Sequence, residues 1–291
     1  VAGDIEQTIA ARPRDLGGIV VGRVLPALRR HAVGPFLFLD HMGPERDREI
    51  AVLPHPHLHL ATVTYLFEGA LHHRDSLGTH QVIEPGAINW MTAGPGIVHS
   101  ERSHARMDLH GLQLWVGLPR ADEDLPPAFD HYPVASLPSV RDGGVAIRVL
   151  AGTAAGATSP VRARSPLVFV DLQFDAGGRA AVPDGYAERA VYVVDGAIEI
   201  GGDRVERGTL AMITGGATPA LVAIDGPARA VVLGGEPLDG PRYMWWNFVS
   251  SDKQRILDAA HAWRARQFPA IPGDDDAFVP APDADPRFSS S

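Results

Sequence analysis

Residues 55 to 101 constrain the fold more than any other part of the chain. They open on His55-Pro56-His57 and close on His99-Ser100-Glu101. In an extended strand the side chains alternate faces, so His55 and His57 project one way together, and so do His99 and Glu101. If two such strands face each other across a small barrel, three imidazoles and one carboxylate converge on a single divalent ion. That donor set suits iron, nickel, manganese, copper or zinc, and is unlike the all-oxygen shell of calcium. Four protein ligands on a six-coordinate ion leave two positions open for chemistry.

The residues between the two pairs support a β reading. Thr62-Val63-Thr64-Tyr65-Leu66-Phe67 is β-branched and aromatic and runs into Glu68-Gly69, as a buried strand entering a turn should. A Pro85-Gly86 turn, the apolar run Ile88 to Met91 and Gly94-Pro95-Gly96 then lead to His99. His59 shares the parity of His55 and His57 and is expected to line the pocket. His72 and His73 fall in an expected hairpin. There, solvated histidines are the plainer reading, and support of a ligand's far ring nitrogen by His73 is the sharper one. Gln113, in the alternating strand Gly111 to Pro119 between His110 and the linker, points either into the pocket or into the barrel wall. Upstream, Ile19 to Pro26 and Pro35 to His41 read as strands, with Asp40 and His41 closing the second either as a satisfied polar pair, the plainer reading, or as site residues. Residues 43 to 54 are polar and read as a loop.

Composition narrows the function classes. A net charge of -9 with no offsetting Lys/Arg cluster argues against direct nucleic-acid binding. With no cysteine in 291 residues, disulfides, thiolate zinc sites and thiol catalysis are excluded. No apolar run approaches the 18 or so residues of a membrane span and no leader is evident, so a cytoplasmic protein without membrane contact is expected. Nine of the 13 histidines lie between His55 and His110, which sets the first half of the chain apart chemically.

The second half repeats the rhythm without the histidines. Short strands at Val145 to Leu150, Leu167 to Leu172, Ala190 to Asp195, Ala197 to Ile200 and Ala230 to Leu233 are spaced by glycine turns, as in a barrel or jelly roll. Aligning Gly69 with Gly196 and Gly86 with Gly208 puts Val182, Asp184 and Leu221 where His55, His57 and His99 stand. The pattern is that of a duplication in which one copy lacks the ligands. Ser251 is expected to cap a helix from Asp252 to about Phe268 that packs across a barrel. The division is therefore an N-terminal metal-binding barrel over 1–135, a second barrel over 143–270 and a mobile tail over 271–291.

The motifs His55-Pro56-His57 to Gly69, Trp90 to Gly94, Gly96 to Glu101 and His110 to Val116 closely resemble those of the pirin family of the cupin superfamily. Gly18 to Pro26, Gly34 to Gly43 and Gly235-Glu236-Pro237-Leu238 resemble it too. The resemblance implies an all-β fold of two tandem cupin (jelly-roll) β-barrels with a C-terminal helix, and one metal in the first barrel. Matched residue by residue, the family's ligands fall on His55, His57, His99 and Glu101, with Fe(II) as the expected ion and Glu101 as the base. The implied activity is that of a quercetin 2,3-dioxygenase, with a flavonol or similar enolisable phenolic and dioxygen as reactants. The alternative is a redox-sensing regulator of transcription or of a metabolic enzyme, with a protein partner. Leu58-His59 and Ala61 depart from the family's usual residues, which bears on the shape of the substrate pocket.

Overall fold

The computed structural model describes residues 3–16 and 19–283. Its contacts divide the chain into two compact units, each assembled from three stretches. One, here the apolar unit, comprises Val1–Arg14, Gly22–His41 and Val134–Pro237; the other, the histidine unit, comprises Asp15–Val21, Met42–Pro133 and Leu238–Ser291. The units are thus interleaved in sequence. Strand Ile5–Ala10 joins the apolar unit because it runs antiparallel to Thr209–Ile213. The C-terminal helix joins the histidine unit because Ile256, Ala260 and Trp263 bury against Leu58 and Val98.

Both units are antiparallel jelly rolls with open sheets, and the all-β fold with one α-helix among the described residues is the one expected. In the apolar unit nine strands form one sheet whose main path runs Ile5–Ala10, Thr209–Ile213, Glu188–Ile200, Ala220–Gly235, Leu167–Phe174, Val145–Ala151 and Ser139–Asp142. Its interior is a continuous cluster that includes Val168, Val170, Val191, Val193, Ile198 and Val232. Each side chain of this size contributes roughly 1.5–3 kcal/mol on leaving water. Asp40 and His41 are each partnered: Arg23 donates to both Asp40 oxygens at 2.8 Å, and His41 Nδ1 lies 2.7 Å from the Tyr192 hydroxyl.

In the histidine unit a four-stranded sheet has the order Ala51–His57, Ile97–Arg102, Leu71–Asp75, His80–Ile83. A larger sheet carries Ala128–Tyr132, Ile88–Thr92, Leu60–Glu68 and Met107–Gly117 in that order. The glycines used to align the two halves share a backbone state: φ is 86° at Gly69 and 72° at Gly196, and 83° at Gly86 and 77° at Gly208. A Cβ would collide with the Asp108 carbonyl at Gly69 and with the Pro227 carbonyl at Gly196, so left-handed φ and close carbonyls leave room for glycine alone.

Three expectations are corrected. Residues 43 to 54 form strand rather than loop, since Phe36–Arg48 continues to Arg48 and Ala51–His57 follows after a gap of two residues. The extension is polar and exposed, tied by Arg46 to Glu68 at 3.0 Å and by the Asp47 amide to Asp108 at 2.9 Å, so no apolar alternation marks it. The helix is Lys253–Arg264 and its cap is Asp252, which accepts from the Gln254 amide at 2.8 Å; Ser251 instead bonds Glu123. Within the segment read as a tail, Ile271 is buried and the Asp274 carboxylate accepts from Ser100 at 2.6 Å and from Arg102 at 2.8 Å, while residues 284–291 lie outside the described residues. None of the described helices is long and apolar enough to cross a membrane.

Candidate metal centre

The two segments that carry the candidate ligands are hydrogen-bonded neighbours in one sheet, and do not face each other across a barrel. His99 stands directly opposite His55, Ile97 opposite His57, and the register slips between His99 and Glu101. On the other side of the same strand, Leu71–Asp75 sets Asp75 opposite His99 and His73 opposite Glu101. Alternation therefore places six polar side chains on the inner face of three adjacent strands: His55, His57, His99, Glu101, His73 and Asp75, all buried. The intervening residues point outward, where Val98 packs on the C-terminal helix and Ser100 and Arg102 hold Asp274.

The rings of His55, His57 and His99 have centroids 4.4 to 5.0 Å apart. His57 Nε2 and His99 Nε2 are separated by 3.1 Å. An ion holding two imidazoles at about 2.1 Å and a right angle sets their nitrogens about 3.0 Å apart, so this spacing fits two ligands of one cation. The far ring nitrogens fix which lone pairs face inward. His55 Nδ1 lies 2.8 Å from the Leu53 carbonyl and donates to it, which leaves Nε2 bare. His57 Nδ1 lies against the Asn247 backbone without a well-formed hydrogen bond. His99 Nδ1 lies 3.4 Å from His73 Nδ1, and His73 Nε2 lies 3.0 Å from Asp75 Oδ2.

Burial keeps these rings uncharged. It pulls His55 down to about 4, and pulls His57 and His99 well below the usual imidazole value, with the neighbouring histidines adding to the effect. Three unprotonated, buried imidazoles are what a transition-metal ion requires of its ligands.

Glu101 sits somewhat apart. Donor atoms of His55, His57 and His99 form one set within 4.8 Å of one another, and His73, His99 and Glu101 form a second. The carboxylate accepts from the Thr64 hydroxyl at 3.0 Å, and Thr64 is 3.1 Å from the Gln113 amide oxygen as placed. A hydroxyl has one proton, so Gln113 satisfies Thr64 if its amide is turned to donate. Burial raises the Glu101 pKa, against the pull of His73 and Thr64. Trp115 meets His57 edge-on at 5.3 Å and Phe129 stacks on His73 at 4.3 Å, so the donors are walled by aromatic surface.

His59 departs from its sequence reading, and His73 from the solvated one of its two. His59 is fully buried, but its φ of 54° breaks the alternation, and its ring turns to Ser250 at 3.0 Å and Glu123 at 3.4 Å, away from the pocket. His73 is buried rather than solvated, because the strand is Leu71–Asp75 and its odd residues point inward. Asp75 joins the buried face although sequence reasoning does not single it out. Its signal is the alternation Leu71, His73, Asp75, but adjacent histidines at 72 and 73 hide which parity faces in. His104 and His110 stay outside both donor sets, against His72 and Phe67.

A family model described as Pirin matches residues 19–116, and one described as Pirin C-terminal cupin domain matches residues 169–269. A pirin-like protein of Caulobacter vibrioides is 43% identical, over 96% of this chain and 100% of its own. The crystal structure of a quercetin 2,3-dioxygenase from Acinetobacter baumannii superposes with a TM-score of 0.91 at 33% identity, covering 98% of this chain and 97% of that one. A bacterial pirin from Escherichia coli, solved in complex with nickel(II), shares the fold with a TM-score of 0.63 at 16% identity, over 80% of this chain and 99% of that one.

Proposed function

Because this chain belongs to the pirin family, we propose that its histidine unit holds one divalent transition-metal ion on His55, His57 and His99, with Glu101 as the fourth ligand, and that the loaded protein is a quercetin 2,3-dioxygenase-type oxygenase. The observation that carries this reading is the convergence of three buried, uncharged imidazoles with two of their Nε2 atoms 3.1 Å apart. Fe(II) is the ion we favour, although nickel(II) in the Escherichia coli pirin shows that a relative accepts another. When bound, the ion supplies Lewis acidity toward an ionisable hydroxyl and a redox partner for dioxygen.

We read the substrate as an aromatic, enolisable phenolic such as a flavonol; the aromatic rings of Trp115 and Phe129 among the donors support that reading. Glu101 would receive the substrate hydroxyl's proton when it is off the ion or only weakly bound to it, with Thr64 holding the carboxylate in place.

Anaerobic reconstitution with Fe(II), followed by quercetin loss and oxygen uptake on exposure to air, tests the reading. Supporting it requires one dioxygen consumed and one carbon monoxide released per flavonol, and neither in His55→Ala or Glu101→Ala. Tight iron binding with no consumption of either reactant rejects the enzyme and favours a redox-responsive binding protein.

A further inference from the structure

His73 and Asp75 belong to no proposed ligand set of four, yet they occupy the same buried face as the ligands. We propose that they are positioning residues. The order Asp75, His73, His99 is a hydrogen-bonded line that fixes the tautomer of His99 and so aims its Nε2 lone pair at the metal position. The inference rests on the proposed metal reading.

The line can be followed proton by proton. Asp75 Oδ1 accepts from the amides of Leu77 at 2.9 Å and Thr79 at 3.0 Å, which locks the carboxylate in the turn and leaves Oδ2 for His73 at 3.0 Å. A carboxylate only accepts, so the proton between them belongs to His73 Nε2. With that one ring proton on Nε2, His73 presents a bare Nδ1 to His99 Nδ1 at 3.4 Å. That contact is satisfied only if His99 carries its proton on Nδ1, which leaves Nε2 unprotonated, 3.1 Å from His57 Nε2. Stacking on Phe129, at 4.3 Å and 24° between planes, holds the His73 ring in the plane this requires. The strands set the spacing, since Asp75 is opposite His99 and His73 opposite Glu101. A metal-bound imidazole generally donates its other N–H to such a partner, and loss of the partner costs about 10–100-fold in affinity. Here the partner is a second imidazole, itself set by a carboxylate.

Two substitutions separate positioning from mere packing. In Asp75→Asn the amide oxygen can keep the Leu77 and Thr79 bonds, which turns the NH2 group toward His73. His73 must then accept through Nε2 and donate through Nδ1, and His99 is driven to the opposite tautomer. In His73→Phe the stack on Phe129 is kept but no acceptor remains, so His99 is left without a preference. The experiment is long-range proton–nitrogen correlation NMR on metal-free, histidine-labelled protein, paired with anaerobic Fe(II) titration of the wild type and both variants. We expect His99 protonated at Nδ1 in the wild type, at Nε2 in Asp75→Asn and mixed in His73→Phe. Iron affinity should fall about 10–100-fold in Asp75→Asn and less in His73→Phe. The same His99 tautomer in all three proteins overturns the proposal, as does iron affinity unchanged by an inverted tautomer. If the wild type binds no iron, the metal reading fails, and the tautomer spectra still decide whether the line exists.

Discussion

The two units are built on one plan and filled differently. In the apolar unit the positions aligned with His55 and His99 are Val182 and Leu221, both buried within a single apolar cluster. In the histidine unit the corresponding positions lie on a buried face with six polar side chains, five of which bring donor atoms within 4.8 Å of one another in two sets that share His99. The glycine turns that set the strands keep the same left-handed φ in both. A jelly roll therefore does not need its inner donors in order to fold. The histidine unit keeps buried imidazoles at a cost in desolvation, and a cation that binds them offsets that cost.

The comparison breaks first at the proposed ligands. His99→Ala is expected to weaken iron binding by more than ~100-fold, beyond the loss of any supporting residue, while leaving the fold intact; anaerobic titration and circular dichroism check both halves of that statement. Placing a histidine in the other interior should show that the donors cannot simply be transplanted. Leu221→His buries an unpartnered imidazole among valines and isoleucines, with an expected cost of about 3 kcal/mol and a fall in melting temperature of roughly 6–12 °C. It should gain no metal site.

Acid should distinguish the units next. His55 titrates near 4 in the fold and near 6.5 when unfolded, and burial lowers His57 and His99 in the same direction. Between those values the unfolded chain binds more protons, so the stabilisation is complete above about pH 6.5 and is lost as pH falls toward 4. Each tenfold difference in proton affinity between the two states is worth ~1.4 kcal/mol. Urea melts of metal-free protein from pH 7 to pH 5 should show this slope, and His55→Gln should flatten it. Smaller effects follow further out. Thr64→Val removes the donor to Glu101 and should lower turnover by less than about tenfold with iron still bound. Asp274→Asn releases Ser100 and Arg102 on the outer face of the ligand strand and should cost at most about 1 kcal/mol, read from the melting temperature.

What the sequence discloses follows from period. His55-x-His57 and His99-x-Glu101 are legible because a strand's alternation is two and both segments are flanked by apolar residues that fix which side is in. Their pairing in one sheet is not legible, since neighbouring and facing strands give the same alternation. Asp75 escapes, and His73 is legible only as one of two readings, because Leu71-His72-His73-Arg74-Asp75 carries polar groups on both faces. The polar strand through Arg48 escapes for the same reason. His59 misleads because one left-handed residue between two strands reverses its direction, and nothing in a run of alternating histidines announces that turn. The segment around Asp274 looks like a tail because it docks through scattered contacts, among them the Asp274 carboxylate, the buried Ile271, Phe278 against Trp263 and the Val279 backbone, rather than through a periodic face.

Metal stoichiometry bears on the three-histidine cluster without any intermediate assumption about activity. Anaerobic titration with Fe(II), followed by gel filtration and elemental analysis, should give one ion per chain in the wild type and in Thr64→Val, and none in His99→Ala. An ion retained equally by wild type and His99→Ala would contradict the assignment, because the metal would then lie somewhere other than His55, His57 and His99.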